Sequence, residues 1–219
     1  MLDINHILVV LDSEHPEQIA LTKAIWLAKK VEADLTLLSS VYEPYATEHS
    51  ALDLETREKL HAAKTRGAEE WINSFVSEAT EAGVRAVTRV IWAEHLEDAV
   101  TELLNQQDFD LVIKGTRHHS MMDHLFSHED WELMNQTDAP VMLVKTAQPW
   151  QSNRILASVD ATAVDAEHRR INENILEYAE HLSDHFETDL HLVNAYPQIA
   201  LALAMVPEVT TPSDIQETI

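Results

Sequence analysis

Five short apolar segments, separated by stretches with helical spacing, constrain the fold of this chain more than any other feature. They are residues 6–11 (HILVVL), 35–41 (LTLLSSV), 86–92 (AVTRVIW), 110–114 (DLVIK) and 141–145 (VMLVK). Their hydrophobicity is nearly continuous rather than alternating, which is typical of strands covered on both faces of a parallel sheet. The pattern therefore predicts five buried, parallel strands.

Amphipathic segments between these strands predict the helices. They cover residues 16–32, 53–82 and 94–107, and a fourth helix begins near Ser127. Apolar or small residues at steps of three or four predict one long helix over 53–82: Leu60, Ala63, Gly67, Trp71, Phe75 and Ala79. Gly83 supplies its C-terminal stop, and SHED at 127–130 resembles a capping box. The alternating order predicts an α/β fold, with a five-stranded, mostly parallel sheet and helices on both faces.

Four tryptophans have the spacing of core residues in these elements. They are Trp26, Trp71, Trp92 and Trp131. We expect them to pack in the interior rather than to form a platform on which nucleic-acid bases stack.

An internal repeat relates the two ends of the chain. HILVVLD at 6–12 recurs as RILASVD at 154–160, and residues 21–38 are echoed by 176–193 at an offset of 155. Identical pairs in the second match are Leu21/Leu176, Ala24/Ala179, Leu27/Leu182, Glu32/Glu187, Asp34/Asp189 and Leu35/Leu190. We predict a first domain at 1–146, a linker at 147–153 and a second copy at 154–219. The second copy has counterparts of only the first strand, first helix and second strand, so we expect it to be incomplete.

Composition and charge limit the classes of partner. The chain has 38 acidic residues against 15 lysines and arginines, a formal net charge of −23, which disfavours direct binding to nucleic acid. It has no cysteine, so disulfides, thiolate catalysis and cysteine-ligated metals are excluded. No apolar run approaches the roughly 18–20 residues of a membrane helix, and the N-terminus lacks a basic region. We therefore expect no membrane association and no signal peptide.

Several motifs occur together in an order typical of one family. They are the VVLD strand, the LLSSVYEP strand, DLVIKGT and the closing DAPVMLVK. With the repeat, they make the chain resemble the universal stress protein family, most closely its tandem-domain E type. The resemblance implies a Rossmann-like sheet of the adenine nucleotide alpha hydrolase type. It also implies a cytoplasmic location and a role in stress resistance, including resistance to DNA-damaging conditions.

The resemblance carries three ligand-binding positions onto the first copy. Asp12 matches the strand-end carboxylate that contacts the nucleoside in ATP-binding members, and Val41 matches the residue whose backbone contacts adenine. Gly115 matches the first glycine of the phosphate loop. In the second copy, Asp160 and Ala195 match the first two positions.

The remaining glycine positions of that loop are not glycine here. They hold His118 and His128, and Glu129 stands where the family has Ser or Thr. Glycines let backbone N–H groups approach phosphate oxygens closely, and a carboxylate at the start of a helix disfavours phosphate. We therefore predict a degenerate nucleotide site that keeps its nucleoside half and has lost its phosphate half.

The same loop contains the densest group of potential metal ligands. It comprises His118, His119, Asp123, His124 and His128. On a helix His124 and His128 would share a face and could bind Zn²⁺ or Ni²⁺. The alternatives are solvated or packed histidines, or a pH-sensitive contact. Without an HExxH motif we expect no metal, and we keep these histidines as candidate ligands.

Acidic residues at strand ends leave a further choice open. Asp12, Asp110 and Asp160 lie where α/β proteins bind ligands, but such residues can equally cap the following helix.

The functional expectation is a non-catalytic stress protein that acts by binding or protein interaction and has no cofactor. GxSxG and P-loop motifs are absent from the sequence. The alternatives are an ATP- or AMP-binding sensor with weak ATP hydrolysis, and a histidine-loop metal binder. Because an incomplete second copy exposes strand edges and apolar faces, we also expect a homodimer or pairing between the two copies of one chain.

Overall fold

The computed structural model describes residues 4–116, 127–148 and 154–194. These residues form two compact units, 4–148 and 154–194.

The first unit is built on a parallel sheet. Its strands are β1 (His6–Val10), β2 (Asp34–Val41), β3 (Ala86–Trp92), β4 (Leu111–Gly115) and β5 (Val141–Val144). Its helices are α1 (Ile19–Val31), α2 (Leu54–Asn73), α3 (Val76–Glu81), α4 (Leu96–Gln106) and α5 (His128–Gln136), with a short 3₁₀ turn at Pro44–Ala46. The strands lie in the order β3-β2-β1-β4-β5 and every pairing is parallel. The predicted five-stranded α/β fold is confirmed.

Both faces of this sheet are covered by helices. On one face, Leu8, Val10 and Leu38 form a buried cluster with residues of α4 and with Leu133 of α5. The alternate strand residues, such as Val9, point to the other face and are also fully buried. Helix α1 packs there against β1 and β4, and α2 packs against β2 and β3. Burial on both faces explains why the strands are apolar without alternation.

The helix predicted over 53–82 is in fact two helices. The backbone N–H groups of Ser74 and Phe75 donate to the carbonyls of Trp71 and Ile72, and these three-residue steps end α2 at Asn73. The Ser74 hydroxyl donates to the same Trp71 carbonyl at 2.6 Å. Serine competes in this way for helical hydrogen bonds, which the apolar spacing does not reveal. Gly83, at φ 82°, follows the end of α3 as predicted.

The predicted burial was also wrong for part of the α2 stripe and for one tryptophan. The buried residue of α2 is Ile72, which the stripe did not include, whereas Ala63 and Gly67 are exposed. Trp131 is 50% exposed, because the buried face of α5 is formed by Asp130 and Leu133. The other three tryptophans are half-buried.

The second unit repeats local geometry of the first. It contains β6 (Arg154–Ser158), α6 (Ala166–Phe186) and β7 (Asp189–Val193), with β6 and β7 parallel. Arg154 pairs with Asp189 as His6 pairs with Asp34, so the strand register is the same at repeat-equivalent residues.

The helix ends of the two units also correspond. Helices α1 and α6 end at Glu32 and Glu187, both in the left-handed region at φ 59° and 51°. These glutamates are an identical pair in the sequence repeat. Within the described residues, none of the helices combines the length and the apolar character needed to cross a membrane.

Candidate functional site

A cavity of about 700 Å³ lies at the carboxyl ends of the strands of the first unit. Its walls include Asp12 and Gln18 after β1, Ser40 at the end of β2, Lys114 and Thr116 from the end of β4, and Glu129 from α5. The chain leaves β1 toward β2 on one side and returns to β4 on the other. Ligands of open α/β sheets bind at such a reversal of strand order, so this cavity is the candidate site.

Asp12 forms a tight turn at the rim of the cavity. One carboxylate oxygen accepts the N–H of Glu14 at 2.9 Å, and the other lies 2.9 Å from Nδ1 of His15. Helix α1 begins only at Ile19 and its N-cap residue is Gln18, so Asp12 does not cap the helix. That alternative is wrong, because six residues of turn separate the aspartate from the helix.

The side chain of Gln18, which was not predicted as a site residue, stabilises this turn. Its side-chain oxygen accepts the N–H of Asp12 at 3.0 Å, and its amide nitrogen donates to the carbonyls of Asp12 and His15 at 2.8 and 2.6 Å. In the second unit Asn172 makes the matching contacts with the N–H and carbonyl of Asp160, at 2.9 and 2.7 Å. The two amides differ in residue type and do not align at the repeat offset, so no sequence signal indicated them.

Gly115 and Val41 are the last residues of β4 and β2, and both contribute to packing or pairing there. A Cβ built on Gly115 would lie 3.1 Å from Cγ1 of Ile19, so glycine permits the close approach of α1 to β4. Val41 ends β2, and its carbonyl accepts the N–H of Ala93 at 3.1 Å. Its neighbour Ser40 lines the cavity.

A buried ionic network lies directly behind the cavity wall. Asp130 of α5 is 0% exposed, and Nζ of Lys114 donates to its Oδ1 at 2.7 Å. Its Oδ2 accepts the hydroxyl of Thr116 at 2.6 Å and the backbone N–H of Ser127 at 3.0 Å. Ser127 Oγ in return accepts the N–H of Asp130 at 3.1 Å, which completes the predicted capping box. Lys114 Nζ also lies 2.9 Å from a carboxylate oxygen of Glu129.

This network keeps both buried groups charged near neutral pH. Burial alone would lower the pKa of Lys114, but hydrogen bonds to Asp130 and Glu129 and the charges of those carboxylates outweigh it and raise the pKa. Burial alone would raise the pKa of Asp130, but hydrogen bonds from Lys114, Thr116 and Ser127 outweigh it and lower the pKa. Neither Lys114 nor Thr116 was predicted as a site residue, because their partner Asp130 lies 16 and 14 residues further along the chain.

The structure places the remaining strand-end acids differently. Asp110 precedes β4, and its carboxylate accepts the N–H groups of Asn5 and His6 at 2.8 and 2.9 Å. It therefore lies at the amino edge of the sheet, opposite the cavity, and its assignment to the ligand edge was wrong. Asp160 forms a turn with Thr162, whose N–H and hydroxyl it accepts at 2.9 and 2.6 Å. Helix α6 is capped instead by Asp165.

Most of the histidine loop lies outside the described residues. This applies to His118, His119, Asp123 and His124, and also to Ala195 of the second copy. His128 is the first residue of α5, is exposed, and lies 3.9 Å from a carboxylate oxygen of Glu132. Within residues 4–116, 127–148 and 154–194, no three His, Asp or Glu residues are grouped as metal ligands would be.

Comparisons with known proteins agree with this architecture. The model of the universal stress protein family matches residues 3–145. The chain is 24% identical to the universal stress protein E homolog of Haemophilus influenzae, over 96% of this chain and 70% of that protein. It is 25% identical to universal stress protein E of Escherichia coli K12, over 93% of this chain and 65% of that protein.

Solved structures have the same fold. A functionally unknown protein from Pseudomonas aeruginosa PAO1 superposes with a TM-score of 0.67 at 26% identity, over 92% of this chain and 64% of that one. Universal stress protein UspA from Lactobacillus plantarum superposes with a TM-score of 0.54 at 19% identity, over 65% of this chain and 98% of that one. The chain thus spans 64–70% of the longer relatives. It belongs to the universal stress protein family and is similar to its E-type members.

Proposed function

We propose that this protein is a non-catalytic stress-resistance protein that acts by binding, with a degenerate nucleotide site in its first unit. The charge of the cavity wall carries the proposal. Carboxylates of Asp12, Glu14, Glu17 and Glu129 line the cavity together with the ammonium groups of Lys114 and Lys145. Lys114, beside the first glycine position of the family's phosphate loop, is already paired with carboxylates. Among the described lining residues negative charge is therefore in excess, which opposes the binding of a triphosphate.

Calorimetry on the whole chain tests this proposal. ATP and AMP are titrated with and without Mg²⁺, and phosphate release from ATP is measured in parallel. We expect no saturable heat at millimolar nucleotide and no ATP hydrolysis above background. Micromolar binding that is lost in Asp12→Ala, but kept in a control Asp108→Ala at an exposed site outside the cavity lining, would make the ATP- or AMP-sensor alternative the better description.

We further propose that the protein self-associates through its second unit. Leu156 and Val193 are 68% and 42% exposed there, whereas their repeat equivalents Leu8 and Leu38 are fully buried in the first unit. Among the described residues this sheet has two strands, and exposed strand edges and apolar side chains favour association. The half-buried edge strand β5 offers a second such edge. Pairing between the two copies of one chain is the alternative to a homodimer.

The domain limits and the cellular role are also part of this proposal. The first domain would cover 1–146 and the second copy 154–219, joined by 147–153. A cytoplasmic role in stress resistance, including DNA-damaging conditions, is supported by the similarity to E-type members. Survival of a deletion strain after exposure to a DNA-damaging agent, with and without complementation by this chain, tests that role.

A further inference from the structure

Three donors of different kinds converge behind the cavity wall. They are the ammonium of Lys114, the hydroxyl of Thr116 and the backbone N–H of Ser127 before α5. Ammonium groups, hydroxyls and N–H groups at helix starts are the donors with which proteins bind phosphate oxygens. Here all three donate to one carboxylate, that of Asp130.

The donor set is a built site rather than a surface arrangement. The side chain of Lys114 is only 10% exposed, and Thr116 and Asp130 are both buried. Lys114 and Thr116 also line the cavity, so these two donors lie between the cavity and Asp130. The Asp130 carboxylate is ionised, since its pKa is lowered despite its burial.

We propose that Asp130 is an internal anion that occupies a phosphate-type subsite of the cavity, so that the cavity takes polar ligands without a phosphate group, uncharged or cationic. The inference rests on the proposed function, because it concerns the same cavity and names its ligand class. A phosphate approaching Lys114 would meet two carboxylates, Glu129 and Asp130, against one ammonium. The Thr116 hydroxyl and the Ser127 N–H already donate to Asp130, and Lys114 already has both carboxylates as partners.

The test uses inorganic phosphate as the probe and the whole chain as the protein. In Asp130→Ala the carboxylate is removed while Lys114, Thr116 and the N–H of Ser127 remain. We expect phosphate, compared with chloride at equal ionic strength, to leave the Tm of the native chain unchanged and to raise that of Asp130→Ala saturably. Calorimetry should show at least tenfold tighter phosphate binding by the variant than by the native chain.

Two further variants separate this result from nonspecific salt effects. Adding Lys114→Met to Asp130→Ala should abolish the gain, because it removes the main cationic donor. Asp98→Ala, which removes an exposed acid from the first turn of α4, should not create phosphate binding.

Each outcome decides the inference. If Asp130→Ala folds and binds phosphate no better than the native chain, the inference is wrong. If Asp130→Ala does not fold in chloride, its refolding in phosphate is measured, and failure to recover there also overturns the inference. Nucleotide binding by the native chain would overturn the proposed function and the ligand class together, whereas failure of Asp130→Ala to gain phosphate binding would overturn only the role of Asp130, so the two failures are distinguishable.

Discussion

Lys114 and Asp130 illustrate how a single pair of residues changes the chemistry of a site. Both charges are removed from water, which is costly unless they are paired and hydrogen-bonded. Asp130 is paired with Lys114 and accepts further hydrogen bonds from Thr116 and Ser127. The contribution of the pair to stability therefore depends on its remaining intact.

Replacing Lys114 by methionine should be strongly destabilising. It leaves the buried Asp130 carboxylate without its counter-ion, and breaking a buried pair typically costs about 3–5 kcal/mol. Urea unfolding at neutral pH measures the loss. The control Lys59→Met removes an exposed partner of Glu55 on α2 and should cost no more than about 1 kcal/mol. Equal losses in both variants would contradict a special role for the buried pair.

The same pair predicts how stability depends on pH. The pKa of Asp130 is lowered from 3.8, so its contribution is complete above that value and is lost as pH falls through the lowered pKa. The pKa of Lys114 is raised from 10.5, so its contribution is complete below that value and is lost as pH rises through the raised pKa. The difference in unfolding free energy between the native chain and Lys114→Met should thus be greatest between these limits. A difference that stays constant into strong acid would count against the ion pair.

At the scale of elements, both units have the same arrangement of hydrogen bonds after their first strand. A strand ends in aspartate, the chain turns, and an amide side chain from the next helix region binds both backbone groups of that aspartate. Gln18 does this in the first unit and Asn172 in the second. Beyond the end of the strand, the side-chain amide takes the place of a neighbouring strand. It supplies hydrogen-bond partners to backbone groups that would otherwise have none.

Removing either amide should loosen its turn. We expect Gln18→Ala to cost about 1–3 kcal/mol, because the N–H and carbonyl of Asp12 lose their partners in a part-buried region. Asn172→Ala should cost less, because its contacts with Asp160 are exposed to water. Urea unfolding compares the two variants with Glu17→Ala, an exposed neighbour that should change stability by less than about 0.5 kcal/mol. The explanation fails if Gln18→Ala is as mild as Glu17→Ala.

At the scale of the whole molecule, the two units differ in how completely they bury their sheets. In the first unit helices cover both faces. In the second unit, among the described residues, only α6 packs against the two-stranded sheet, and large apolar side chains remain exposed to water. Burial of such side chains is favourable by about 25 cal/mol per Å² of apolar area, which drives association.

Sedimentation equilibrium tests the proposed association. We expect the native chain to form a dimer and the double variant Leu156→Lys/Val193→Lys to be a monomer, because charged side chains oppose burial of the face. Leu54→Lys alters an equally exposed apolar residue of the first unit and should leave the dimer intact. A native chain that is a monomer, with amides of β6 and β7 protected from hydrogen exchange, would show pairing within one chain instead.

The amino-acid sequence by itself determined the elements and their class. Hydrophobic runs report burial on both faces, so the five strands, their parallel arrangement and the helices between them could be predicted, apart from the break between α2 and α3. The capping box at Ser127 was equally predictable, because its partners lie three residues apart. Local interactions of this kind are encoded in neighbouring residues.

Only the tertiary structure decided which distant groups meet. Lys114 and Asp130 are 16 residues apart in the chain, and their contact joins the end of β4 to the start of α5, which periodicity does not encode. Asp110 lies at the amino edge and Asp12 at the carboxyl edge of the sheet, because Asp110 precedes β4 whereas Asp12 follows the parallel strand β1. The proposed ligand class of the cavity rests on these contacts, because the charge at a site is the sum over the side chains that the fold brings together.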